Sequence, residues 1–547
     1  MATTLDLPRE EEQAKQSAAA TAESDARWKP RFNPWLIALT VTMATFMEVL
    51  DTSIANVALP HIAGNLSAGQ DESTWVLTSY LVSNAIILPL SGWLGSMIGR
   101  KRFYMLCVMM FGVSSFLCGL APSLSWLVFF RVLQGLGGGG LAPSEQAILA
   151  DTFPPQKRGM AFALYGFAVV LAPAIGPTLG GFITDNYNWR WIFFINIPVA
   201  ILSLIMTQRL VEDPPWLKRE QRKKGAKWNV DFIGLGLIAL GLGSLQVVLD
   251  KGEREDWFGS NFIILFSTFA VVGILGAIVW EYFQKDPIID IKLFRNRTFA
   301  ISCVMMFMLG LALFGTTVLL PQLLQSLLGY SAQQAGMVLS PGGVVVLLCM
   351  PVVGILVSKW DARYLIAFGF TACAAALYHM TSLSLGISYI DAVGYRAFQS
   401  LGLAFLFVPI NTMSYVGVPR EKNNSVSGMT NLFRNIGGSV GISLVETLLS
   451  RRSQFHLDRL GANFSDYNAT FRASAQGMAQ TFAGHGTGSA EATTQAYSQM
   501  YLILQQQASG LAYIDTLWVF AGVCAVMVPM AFLMKKNVPG AGPKGVH

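Results

Sequence analysis

The sequence predicts an all-α polytopic membrane protein of about fourteen transmembrane helices. Two six-helix bundles related by an internal repeat make up most of it, with two extra helices between them. Three observations lead there. First, 53% of the 547 residues are hydrophobic and only 13% are charged, where soluble proteins average about 25% charged. Mean hydropathy is +0.48. Second, apolar windows centre near residues 46, 85, 112, 137, 170, 201, 240, 270, 308, 346, 373, 405, 437 and 523. Crossing the bilayer core takes roughly 20 such residues. Third, RVLQGLG at 131–137 returns as RAFQSLG at 396–402, 265 positions later. Parallel repeats of this kind are common in transporters.

The elements follow in order. Residues 1–33 are polar and charged, without the apolar core of a cleavable signal peptide. They are expected to form a cytoplasmic tail, the first span serving as its own insertion signal. Residues 34–211 hold the N-terminal six-helix bundle and 212–229 a basic cytoplasmic linker. The two extra helices occupy 230–284. The C-terminal bundle occupies 285–450 and, after a long outer loop at 451–510, a last helix at 511–535; 536–547 is a second cytoplasmic tail.

The net charge of +6 is unevenly placed. With the N-terminus inside, the inner loops collect Arg100-Lys101-Arg102, Lys157-Arg158, the basic runs within 218–227 and 285–297, Lys359, Arg363, Arg420, Lys422 and Lys535-Lys536. The outer loops hold Arg190, Lys251, Arg254 and a few more in 451–510. This is the positive-inside pattern, and it requires an even number of spans with both termini cytoplasmic. In the outer loop, RRSQFHLDRL at 451–460 has helix-compatible sequence, as does 492–508, with AGHGTGSA between them. An irregular loop is the alternative reading for a connection of this length.

Charged groups inside the apolar windows carry the chemistry. Glu48 and Asp51 share the first span, three positions apart and so neighbours on one helix face. A carboxylate at that depth costs about 2.5 kcal/mol or more and persists where it serves a polar pathway or a proton relay. Arg131, in the fourth span, keeps its charge. At 1.5 Å per residue it and Asp51 both fall in the outer third of the membrane, where they can meet; bracing of backbone carbonyls is the alternative for Arg131. Glu145 lies nearly four turns beyond Arg131, near the cytoplasmic end. It reads either as a transport residue or as an interfacial carboxylate facing water. Gln134, Gln146, Asn411, Arg434 and Asn435 are candidate polar contacts of a cavity between the bundles. Arg396 and Gln399 are the repeat equivalents of Arg131 and Gln134.

Other classes fit poorly. The six cysteines lie in apolar runs without metal or disulfide spacing, and there are only five histidines. No catalytic residue, metal site or nucleic-acid partner is expected, and the chain does not read as an enzyme. GLGGGG at 135–140 fits GxGxxG literally, but it sits mid-span with no strand before it. Small residues there let helices approach. The run APAIGPTLGG at 172–181 reads as a hinge or as a tight packing face.

These motifs resemble the major facilitator superfamily. Arg131-x-x-Gln134-Gly135 resembles its motif B. Gly176-Pro177-x-x-Gly180-Gly181, preceded by Ala172 where the family usually has Gly, resembles motif C, the antiporter signature. Gly92-x-Leu94 with Gly99-Arg100-Lys101 resembles motif A, with Ser96 where that motif has Asp. LDTSIANVALP at 50–60 and WRWIFFINIP at 189–198 are similar to the fourteen-span drug:proton antiporters of the EmrB/QacA type, most like the EmrB branch. Glu48 stands where such chains often have an uncharged amide. The resemblance implies alternating access of the two bundles and export of hydrophobic or amphipathic drugs in exchange for protons. It implies no cofactor beyond the proton-motive force. It also implies a bacterial inner-membrane location, contact with membrane lipids, a periplasmic membrane-fusion adaptor (EmrA-like) and an outer-membrane channel (TolC-like). A dedicated exporter of one native metabolite, siderophore or lipid is the alternative.

Overall fold

Helices cover each of the fourteen apolar windows in the computed structural model, which describes residues 28–224, 231–284, 287–382, 386–465, 467–484 and 488–536. The tail at 1–27, the linker at 225–230 and the tail at 537–547 lie outside the described residues. In chain order the helices of more than ten residues are α1 (Pro34–Asn65), α2 (Trp75–Ile98), α3 (Arg100–Gly119), α4 (Leu124–Gly138), α5 (Leu141–Thr152), α6 (Pro155–Asn186), α7 (Asn196–Leu210), α8 (Phe232–Lys251), α9 (Asn261–Phe283), α10 (Arg297–Ser326), α11 (Ala332–Lys359), α12 (Ala362–Met380), α13 (Tyr389–Ser414), α14 (Asn423–Gly461), α15 (Ala469–Gly484) and α16 (Ser489–Ala531).

Among the described residues, ten helices are long and apolar enough to cross a membrane, and an eleventh if the two arms of α6, bent by 43°, count as one span. The other three windows are helical for a different reason. The fourth is split into α4 and α5 at Gly139-Gly140. Helices α12 and α14 trade apolar residues for charged or small polar ones. In α14 the polar residues Asn423, Asn424, Ser427, Thr430, Asn431 and Arg434 are all buried, so they face protein and not lipid.

Caps at the basic ends are local. Asn33 accepts from the Trp35 N–H, Asp231 from Gly234, Asn296 from Thr298 and Phe299, and Asp361 from Arg363. These side chains satisfy donors that a helix start leaves open.

The repeat is visible in which helices touch. In the first half α1 packs on α6, α2 and α3 on α4, and α7 on α3 and α1. In the second half α10 packs on α14, α11 and α12 on α13, and α16 on α12 and α10. The two halves meet through α6 on α11 and α2 on α14, themselves a repeat-related pair.

Lipid gives no hydrophobic push between helices, so close packing of small residues matters. A Cβ on Gly437 would lie 2.0 Å from the Phe307 carbonyl, and one on Gly310 would lie 2.0 Å from that of Arg434. Backbones of α10 and α14 are therefore in contact. Helices α8 and α9 form a hairpin whose crossing point is Gly241 against Gly273. It leans on α2 and α14, with Ser439 donating to Gln246 at 2.9 Å.

Most of the described residues of the 451–510 segment are helical. Helix α14 runs on to Gly461 and α16 begins at Ser489, with an unanticipated third helix, α15, packed on α16 through Phe471, Ala475 and Met500. Arg452 binds Asp515 at 2.6 Å, and His456 reaches the same oxygen at 2.7 Å.

Candidate functional site

A buried polar column runs through the structure from the far half of α1 to the basic end of the bundles. At its top lies Asp51, 2% exposed, facing a wholly buried Arg131. Arg131 Nη1 donates to Asp51 Oδ2 at 2.6 Å, and its Nε donates to the Val76 carbonyl at 3.0 Å. Gln134 and Asn196 donate to the other carboxylate oxygen at 3.0 and 2.6 Å. The Tyr80 ring lies 4.3 Å from the guanidinium carbon. Four helices, α1, α2, α4 and α7, thus contribute to one ion pair. Arg131 does both things the sequence allowed: it meets Asp51 and it braces a carbonyl.

One turn earlier, Glu48 faces another way. Its Oε1 accepts from Asn84 at 3.1 Å and Tyr80 at 3.4 Å, while Oε2 has no donor among the described residues. Asn435 of α14 donates to Asn84 at 3.5 Å, linking this group to the opposite bundle. Glu145 lies deeper. Thr42 donates to its Oε1 at 2.5 Å, and its Oε2 also lacks a donor among the described residues. It is fully buried, so the reading of an interfacial carboxylate in water does not hold. Beyond the break at Gly139-Gly140, α5 packs on α1, and Glu145 faces protein.

Between the bundles, Arg434 donates to the Tyr165 hydroxyl at 2.7 Å. That hydroxyl donates to Asn431 at 3.1 Å, and Asn431 donates to Gln146 at 2.9 Å. Arg434 is the cation whose field reaches both Glu48 and Glu145. At the basic end Arg100 pairs with Asp151, which also accepts from Asn423 at 2.8 Å. Phe162 stacks on Tyr415 at 5.4 Å, and Gly159 meets Gly354 backbone to backbone. The bundles are interlocked at this end. Toward the far end Asn435 and Ser439 are only half-buried, and Asn56 on α1 is exposed.

Some sequence candidates fall elsewhere. Gln134 sits inside the N-terminal bundle on Asp51, and not between bundles. Asn411 is buried in α13, donating to the Phe407 carbonyl of its own helix. Gln134 is drawn inward because a buried amide needs partners and Asp51 and Arg131 supply them, whereas the Asn411 oxygen meets no donor among the described residues. Arg434, Asn435 and Gln146 do stand at the bundle interface.

Sequence reasoning missed Tyr80, Asn84, Tyr165 and Asn431, and it quoted Asn196 only as part of a motif. The signal was present in the i, i+4 pair Tyr80/Asn84 and the i, i+3, i+4 set Asn431/Arg434/Asn435.

The profile described as Major Facilitator Superfamily matches residues 41–442. The chain belongs to the major facilitator superfamily. It is 36% identical over 525 residues to the multidrug export protein EmrB of Escherichia coli strain K12, covering 95% of this chain and 99% of that one. It is 40% identical over 445 residues to the probable multidrug resistance protein EmrY of the same strain, covering 81% and 86%. The proton:xylose symporter XylE superposes with a TM-score of 0.58 at 15% identity, over 92% of this chain and 96% of that one. That last likeness is one of fold.

The superfamily motifs acquire physical meaning here. In motif C, a Cβ on Gly176 would lie 2.2 Å from Ser53 Oγ, and Gly180 touches Ile54, so α1 rests on bare backbone. Pro177 and Thr178 of the same turn face α11 at Gly336, while Gly181 faces open space and Ala172 is buried. In motif B, a methyl added to any of the five glycines of 135–140 would come within 3 Å of α2 or α3, which leaves no surface for a nucleotide. In motif A, Ser96 bonds its own helix at Trp93, and Arg100 takes Asp151 instead.

Proposed function

We propose that the protein exports hydrophobic and amphipathic small molecules across a bacterial inner membrane, exchanging each for protons moving inward. One observation carries the reading. Two buried carboxylates, Glu48 and Glu145, lie beside the interface of two repeat-related bundles, each with one oxygen that no donor among the described residues meets. A carboxylate in membrane-embedded protein without a contacting cation is the kind of group that relays protons. The names of the EmrB and EmrY relatives, multidrug export and multidrug resistance, support the substrate class.

In this reading the basic face is cytoplasmic, as are both termini, and the described arrangement is closed on that side. Protons arriving from outside reach Asp51 and Glu48, and opening of the Arg434–Tyr165–Asn431–Gln146 contact delivers them inward. Asp51 serves as the principal proton site, and Arg131 stabilises its charged form once the proton leaves. Energy comes from the proton-motive force, without cofactor, metal or covalent change to the substrate. The outer helices α15 and α16 dock a periplasmic adaptor of the membrane-fusion type, which passes substrate to an outer-membrane channel.

Inverted vesicles test the core of this reading. Wild-type protein should accumulate ethidium or a comparable dye when the interior is acidified, and lose it when the gradient is collapsed. Dye movement indifferent to the gradient would refute proton coupling. Replacing 455–505 by a Gly/Ser linker should spare vesicle transport and abolish cellular resistance. Full resistance with retained adaptor pull-down would reject the docking role.

A further inference from the structure

The 265-residue offset that relates Arg131 to Arg396 and Gln134 to Gln399 also relates Asp51 to Thr316. The structure honours all three correspondences. Arg396 Nη1 donates to Gln399 Oε1 at 2.8 Å, as Arg131 does to Gln134 at 2.8 Å. Gln399 Nε2 donates to Thr316 Oγ1 at 2.7 Å, as Gln134 does to Asp51. The C-terminal bundle has therefore kept the arginine and the amide and replaced the carboxylate by a hydroxyl.

Arg396 is left short of partners. It is 3% exposed, and its Nη2 reaches only Thr317 Oγ1 at 3.2 Å. Its Nε has no acceptor among the described residues, whereas Arg131 Nε has the Val76 carbonyl. No carboxylate among the described residues lies within ion-pair distance of it. A buried guanidinium without a counter-charge is costly, unless an anion can come to it. Gly342 of α11 places bare backbone beside its side chain, and Thr317 is only half-buried, which marks the open edge of the site.

We propose that Arg396, with Gln399, Thr316 and Thr317, binds the carboxylate headgroup of an anionic amphiphile taken up for export. The planar guanidinium fork matches a carboxylate's two oxygens. The hydroxyls of Thr316 and Thr317 donate to the carbonyls of Ala312 and Leu313 at 2.6 and 2.7 Å, and an arriving carboxylate takes over the Gln399 and Arg396 N–H groups that their oxygens now accept. The N-terminal bundle carries its own carboxylate in the equivalent place and is self-neutralised; the C-terminal bundle receives one from the substrate. This site deepens the export reading and rests on it for the fate of the bound molecule.

The test is binding of decanoate, decanol and tetraphenylphosphonium to the purified full-length protein, in wild type and in Thr316→Asp. The substitution rebuilds the Asp51–Arg131 arrangement with an internal counter-ion, so folding is preserved and competition with an external anion is direct. Decanoate should bind about tenfold or more weakly to T316D, while decanol and tetraphenylphosphonium stay within roughly twofold. Arg396→Lys, which keeps the charge and loses the fork, should also weaken decanoate selectively. Unchanged decanoate affinity in T316D overturns the proposal. So does native mass spectrometry in which T316D loses only bound phosphatidylglycerol, which would assign the site to lipid. The measurement needs no gradient, so a wild type that binds decanoate but fails to transport any drug would refute the export reading alone.

Discussion

Asp51→Asn should destabilise the N-terminal bundle far more than its small change in shape suggests. The carboxylate accepts three bonds, from Arg131 at 2.6 Å, Gln134 at 3.0 Å and Asn196 at 2.6 Å. An amide turns one acceptor into a donor aimed at other donors, and leaves a guanidinium at 0% exposure without its counter-charge. Breaking a buried pair from one side costs about 3–5 kcal/mol, whereas removing both partners is often nearly neutral. For a bundle of this size the single change corresponds to a fall in Tm of roughly 6–20 °C. Asp51→Asn with Arg131→Met should recover most of that loss. The six free cysteines, of which five are buried, allow the unfolding to be followed with a thiol-reactive dye. Neither variant should export drug against a proton gradient. A double variant as unstable as the single one would refute the claim that the uncompensated charge is the cause. Gradient-driven export by Asp51→Asn would remove Asp51 from the coupling.

Further outcomes follow from the same geometry. Glu145→Gln removes a fully buried carboxylate to which Thr42 donates, and should lower the number of protons moved per drug while leaving Tm within a few degrees; an unchanged ratio in paired flux measurements counts against it. Tyr165→Phe deletes the hydroxyl that joins Arg434 to Asn431, a loss of about 1–3 kcal/mol from the basic-side closure. Maleimide labelling of a cysteine placed at Ser427, buried in the wild type, should then speed up, and equal rates would show that the contact is not a gate. Gly437→Ala forces a methyl to 2.0 Å from the Phe307 carbonyl, so α10 and α14 must separate. A loss of about 1–3 kcal/mol or more is expected, and wild-type stability would contradict it.

The fold was legible because bilayer length and the positive-inside bias act on the whole chain, and the Arg131/Arg396 repeat set the symmetry. Asp51 and Arg131 were placed at one depth by counting residues along two helices of opposite direction. For Glu145, counting gave the face and the end of the span but not what surrounds it, and the structure encloses it completely. Gln134 and Asn411 were misplaced for a related reason: sequence gives depth and helix face, but not which neighbour fills that face. The Tyr165–Asn431–Gln146 bridge joins residues up to 285 positions apart, and no local pattern announces it. Arg396 shows the converse. Its motif was plain in the sequence, but only the structure shows that its partner is a hydroxyl.

If drug and proton exchange at the buried carboxylates, binding of one must expel the other, and drug-induced proton release reads that exchange without any membrane. Purified protein in weakly buffered detergent near neutral pH is mixed with a transported drug while a pH dye reports protons. Wild type should release protons in proportion to bound drug, and a variant carrying Glu48→Gln, Asp51→Asn, Arg131→Met and Glu145→Gln together should bind drug without release. Drug binding by the wild type with no proton release would contradict exchange at these residues.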